Sequence, residues 1–187
     1  MATIAIYASR SLSGNQPAHR RLYEKAAKTG PKGVPVTVTG GYALPWDGTT
    51  YTGAISGFSA EPFKNRTADG VMQLLSPLSE TIENQPNSVV IGLPMFDDGR
   101  IEVAMAVGDS IFYGQCKSDQ TMAKTDVGVS YGLTEDTDHH WYVDKTKTTT
   151  SGGSSTNQAV VIVEDIDAND TRGVFFRVLA AAMSQVA

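Results

Sequence analysis

The sequence predicts a mainly β protein: an antiparallel β-barrel or β-sandwich with an extended N-terminal arm and little helix. Three observations predict it. Apolar and polar residues alternate over short runs, turn pairs such as Gly-Gly and Asp-Gly separate the runs, and 18 Gly accompany many Thr and Val. A chain of 187 residues, 41% hydrophobic and 19% charged, is enough for one domain with a sizeable core, or one domain with an appendage.

Taken in order, residues 9–20 (SRSLSGNQPAHR) are small and polar with few core anchors, and read as part of an extended arm. Residues 17–28 have two readings. Pro17 in a first turn and Gly30 past the end suit a helix, while Leu22–Ala26 also suits a strand; the sequence does not choose between them. Val34, Val36 and Val38 then alternate with Pro35, Thr37 and Thr39 as a half-buried strand. Gly40-Gly41 is a turn. Tyr42, Leu44 and Trp46 repeat the alternation up to a second turn at Asp47-Gly48. Gly53–Ala60 reads as a third short strand.

Residues 61–87 are ambiguous: Val71–Leu75 could open a helix, but Pro77 interrupts it. Val89–Leu93 reads as a strand, and Asp97-Asp98-Gly99-Arg100 as a hairpin turn. The best strand follows, with Ile101, Val103, Met105 and Val107 on one face. Ile111–Tyr113 continues after a bend at Gly108. Val127, Val129 and Tyr131 alternate, as do Trp141 and Val143. Residues 144–158 (DKTKTTTSGGSSTNQ) bury little and read as a mobile loop or a long hairpin tip. Val160–Ile166 and Val174–Leu179 pair across the DANDTRG turn, and the tail is weakly helical or frayed.

Charge divides the chain in two. Residues 1–32 hold six basic residues (Arg10, Arg20, Arg21, Lys25, Lys28, Lys32) against Glu24 alone, a surplus of +5; the whole chain is −5, so residues 33–187 carry −10. The domain reading follows: a basic N-terminal arm and lead-in over 1–32, then one acidic β-rich body over 33–187. Such an asymmetry points to an acidic partner for the arm. The acidic body would be repelled by nucleic acid, so docking of the arm on an acidic protein surface is expected, with a solvated arm that has no partner as the alternative. The opening MATIAIYASRSLSG lacks the basic start and unbroken apolar run of a secretory leader, and no window approaches a membrane helix. Cytosolic synthesis and no membrane partner are expected.

Three patterns invite chemistry. Gly108-Asp109-Ser110, with Asp136 and His139 downstream, resembles the nucleophile block of GDS-type esterases. However, the serine lies in mid-chain between strand-like runs rather than before a helix. His139 and His140 beside Asp136 and Asp138 could hold a metal, but adjacent histidines project apart. Asp165 to Asp170 imitates half a calcium loop, without the Gly and Glu that an EF-hand needs at Asp170 and Phe176. Cys116 is the single cysteine, which excludes an internal disulfide and a cysteine-rich zinc site. No phosphate-binding glycine loop precedes a helix. No cofactor, metal site or catalytic set is therefore expected.

Several segments resemble the head decoration (cement) proteins of tailed bacteriophages: SRSLSGNQPAHRRLYEKAAKTGPKGVPVTV, WDGTTYTGAISGFSAEP, FDDGRIEVAMAVGDSIFYGQ, TDVGVSYGLTEDTDHHWYVDKTK and DANDTRGVFFRVLAA. The resemblance covers most of the chain. It implies a β-rich virion structural protein that binds the outside of the mature head in many copies and stabilises it. The partner would be the major capsid protein, whose shells are frequently acidic outside, and the chain would form homo-oligomers, trimers among them. Arg10, Arg20, Arg21 and Tyr23 are then expected to contact the shell, with Lys25 and Lys28 assisting electrostatically. Two rival readings are a tail-tube or fibre subunit and a small hydrolase or metal-dependent enzyme.

Overall fold

The computed structural model describes residues 5–15, 17–51, 53–70, 73–74, 96–150 and 157–184. In chain order the strands are β1 (Tyr7–Ser11), β2 (His19–Glu24), β3 (Thr29–Gly30), β4 (Pro35–Thr39), β5 (Tyr42–Pro45), β6 (Gly57–Ser59), β7 (Phe63–Lys64), β8 (Gln73–Leu74), β9 (Phe96–Asp97), β10 (Arg100–Met105), β11 (Ser110–Gln115), β12 (Ser130–Glu135), β13 (Trp141–Asp144), β14 (Val161–Ile166) and β15 (Gly173–Val178). The fold is mainly β, as the alternation predicted. Helical structure among the described residues is one 3₁₀ turn at Lys124–Asp126.

Two sheets carry the architecture. A small closed barrel runs β10-β2-β5-β4-β6, and a six-stranded sheet runs β1-β11-β15-β14-β12-β13. Within the barrel β2 and β5 are parallel; the other pairs are antiparallel. A parallel bridge, Cys116↔Val143, folds the β13 edge of the sheet back toward the end of β11. The two-stranded pairs β3-β7 and β8-β9 are accessories.

Local sequence explains the barrel's tight corners. Gly40 and Gly41 sit at φ 58° and 85° and join β4 to β5 with Thr39 opposite Tyr42, a two-residue turn that favours glycine twice. Gly57 lets β6 lie against β10: a Cβ there would stand 2.2 Å from the Ala104 carbonyl oxygen.

One core joins both sheets. Phe58 of β6 meets Phe112 of β11 with ring centroids 4.6 Å apart, and Phe176 of β15 closes the group. Trp46, just after β5, meets Trp141 of β13 at 5.3 Å. Ile101 and Val103 of β10 are fully buried, as their alternation required. The β14–β15 hairpin also forms as read, with a bulge between Val163 and Asp165.

Other expectations change. The lead-in is not an arm free of the body. Ile6 is 1% exposed, β1 pairs with β11, and β2 is a stave of the barrel between β10 and β5. Residues 19–24 are therefore strand, not helix. The Asp98-Gly99 bend leads into β10, but β10 pairs with β2 and β6 instead of with a preceding hairpin strand. Gln73–Leu74 is strand rather than a helix start; Pro77 and Val89–Leu93 lie outside the described residues. Val127 and Val129 are exposed although Tyr131 is buried. Asp126 is the cause: its carboxylate takes the Ala123 amide, the Tyr131 hydroxyl and Lys145 Nζ at 2.6–2.8 Å, winding the chain into the 3₁₀ turn and delaying β12 until Ser130. The base of the 144–158 loop is pinned by a bridge between Thr149 and Gln158; residues 151–156 lie outside the described residues.

Candidate partner-binding surface

β2 carries Arg20 and Arg21 of the six basic residues singled out in the sequence, and its pleat sends them two ways. Leu22, across from Ile101, and Glu24 follow the period that faces the barrel interior, while Arg20, on the same side of the pleat across from Val103, is exposed near the start of the strand and lines a cleft. Glu24 is fully buried. It accepts the Lys64 amide at 2.7 Å and Arg66 Nε at 2.9 Å, while Arg66 Nη2 donates to the Arg100 carbonyl at 3.2 Å. Burial pushes the Glu24 carboxyl up from its ordinary value, against the opposing pull of the Lys64 amide and the Arg66 guanidinium.

The outward face is a ladder of internal pairs. His19 Nδ1 meets Glu102 Oε1 at 2.9 Å, and Arg21 donates to Asp98 at 2.8 Å. Tyr23 accepts from Arg100 Nη2 at 3.1 Å with that guanidinium 4.7 Å over its ring. Lys25 donates to Asp69 at 2.5 Å and lies over Tyr42. That lysine, with the Ala26 amide, holds the Asp69 carboxyl below its ordinary value. Arg10, on β1, approaches Asp165 at 3.8 Å and stacks on Phe175.

The bases read from the sequence thus separate into two sets. Arg10, Arg21 and Lys25 have carboxylate partners in their own chain, and Tyr23 is occupied by Arg100. Arg20, Lys28 and Lys32 form no ion pair among the described residues. Two clefts flank β2. One, about 410 Å³, is lined by Arg20 with Ala18, Met105, Val107, Ala180 and Met183. The other, about 260 Å³, holds His19 and Lys32 beside Tyr7, Ala8 and Phe58 at the seam between barrel and sheet. The apolar lining was missed in the sequence, where Met105 and Val107 read as one core face. Met105 is 5% exposed but Val107 is 45% exposed, because β10 ends between them.

The remaining motifs are built into the scaffold. Ser110 Oγ is buried without a hydrogen-bond partner, and His139 Nδ1 bonds Glu135 at 2.8 Å, so the serine and histidine do not meet. Asp136 accepts the amides of Asp138 and His140 and the Tyr142 hydroxyl. Among the described residues no three His, Cys, Asp or Glu side chains are grouped to hold a metal ion. Asp167 takes the Tyr113 hydroxyl and Asp170 takes Gln115, so the half-calcium loop fastens β11 to the β14–β15 turn. Cys116 is buried with its thiol on the Gln120 carbonyl, and burial pushes the thiol up.

Comparison with known proteins adds no relative: no family model, no curated protein and no solved structure matches this chain.

Proposed function

We propose that this chain is a virion structural protein, a decoration protein that binds the outer surface of a mature phage head through the major capsid protein and stabilises it. The observation that carries the reading is the charge division. Cations are concentrated on β1, β2 and the following loop of an otherwise acidic molecule, and Arg20, Lys28 and Lys32 form no ion pair among the described residues. An acidic shell would be met by that edge and would repel the rest, which orients the encounter. The sequence resemblance supports the same reading. Many copies on one particle, as homo-oligomers or as neighbours, would add modest single contacts into stable retention.

Because β1 and β2 are integral strands, the contact in this reading is a preformed surface rather than a segment that orders on docking. The experiment is co-sedimentation of the purified protein with bare mature heads across a salt series. Saturable binding at a fixed copy number, weakening with salt, is expected. Absence of binding at every salt concentration overturns the reading.

A further inference from the structure

The cleft at the start of β2 differs from the rest of the basic edge. Its lining is mostly apolar, with Met105, Val107, Ala180, Met183 and Ala18 beside Ser184. Arg20 is the one charged residue that lines it, and no carboxylate pairs with Arg20 among the described residues. A further exposed apolar side chain stands near the cleft. Leu12 is 59% exposed, and its amide is bonded to the Asp109 carbonyl at 2.8 Å, beside the exposed Val107–Gly108 turn. A patch of exposed large apolar side chains next to an open trough marks a contact surface.

We propose that this cleft takes an extended segment of the shell subunit that carries an apolar side chain next to a carboxylate. The apolar group enters between Met105, Val107 and Met183, and the carboxylate meets Arg20. The proposal rests on the shell-binding reading above and assigns it a location. Charge complementarity selects the occupant. A lone guanidinium on an apolar wall pairs with a planar carboxylate through two parallel hydrogen bonds, and that pairing is screened less there than on an open surface. A nucleic-acid strand would need a run of cations along the trough, and Arg20 stands alone in it. Two methionines give the walls the adaptability to fit a side chain of either branched or linear shape.

The test places a photo-crosslinking benzoylphenylalanine at Val107, or at the exposed Val129 before β12 as a control, on protein bound to bare heads. Crosslinking from position 107 to an acidic and apolar segment of the shell subunit, and none from 129, is expected. Arg20→Glu should weaken head binding about tenfold or more. Lys28→Glu, the same charge change outside the cleft, should have a smaller effect, and Arg20→Lys should recover part of the loss. Thermal midpoints should be unchanged, since Arg20 is exposed. If heads bind at full affinity with Arg20→Glu and no crosslink forms at 107, the cleft assignment is overturned while the shell-binding reading stands. A crosslink from 107 to another copy of this chain also overturns it. Failure of the unaltered protein to bind heads removes both.

Discussion

Glu24 and Arg66 meet inside the barrel at 2.9 Å, with neither side chain exposed to solvent. A strand read as part of a basic arm thus contributes an acid to the interior, and the acid is answered from 42 residues further along the chain. Taking one partner away leaves a buried charge unanswered. Arg66→Met should cost about 3–5 kcal/mol in urea unfolding. Glu24→Leu combined with Arg66→Met should regain most of that loss, since apolar replacement of a whole buried pair is tolerated. A double variant no more stable than the single one would reject this account.

Acid should loosen the six-stranded sheet through Asp126 and Asp144. Both are buried. Burial alone would raise their carboxyls, but Lys145, Tyr131 and the Ala123 amide at Asp126, and Gln120 and Thr146 at Asp144, hold them below the ordinary 3.8. A carboxyl depressed in the folded state stabilises above its unfolded pKa, and that stability is lost as pH falls through the folded value. Thermal midpoints should therefore drop as pH falls below about 3.8, with a shallower drop in Asp126→Asn. Glu24 acts in the opposite sense: its raised carboxyl opposes folding as pH climbs from its ordinary 4.5 through its folded value. Identical acid limbs for the unaltered protein and Asp126→Asn would refute the assignment to Asp126.

Barrel and sheet should unfold together. Phe58 and Phe112 belong to different sheets yet are 1% and 0% exposed against each other. Phe112→Ala should cost about 3–5 kcal/mol and lower a single transition seen alike by far-ultraviolet dichroism and by tryptophan fluorescence. Two separated transitions in the unaltered protein would contradict a shared core.

The paired bases should matter little to stability. Arg10, Arg21 and Lys25 sit in exposed or half-exposed ion pairs, and replacing any one with Ala should shift stability by about 0–1 kcal/mol. In head binding, each should alter the salt dependence less than Arg20→Ala or Lys32→Ala, because its charge is already answered by a neighbouring carboxylate. Equal salt effects across all five variants would show that pairing does not govern their contribution.

Strand periodicity made β10 legible, since Ile101 and Val103 report burial by spacing alone, and β14 and β15 were legible as two apolar runs on either side of the DANDTRG turn. β2 was not legible in the same way. On the inward side of its pleat stand Arg20, which is exposed, then Leu22 and Glu24, and the distant Arg66 and Lys64 amide make an acid at the third acceptable inside a barrel. Val127 and Val129 misled for a related reason: their spacing is that of a strand, but buried Asp126 turns the backbone before the strand begins. The candidate surface was half legible. Sequence located the cations, but Asp98, Asp69 and Asp165, which answer three of them, lie 44 to 155 positions away. Neither the apolar walls of the Arg20 cleft nor its opening can be read from local pattern, because both depend on where β10 stops and where the C-terminal segment returns.

The Cys116↔Val143 bridge limits the strand edge that the six-stranded sheet offers to a neighbouring copy. By folding β13 back toward β11 it leaves β1 as the exposed flank of the six-stranded sheet among the described residues, and the barrel closes on itself. β1 in turn is short and its register with β11 slips between Ala8 and Arg10, which roughens the hydrogen-bonding row it offers to a neighbour. Copies of this molecule held side by side would find little straight backbone on which to zip together.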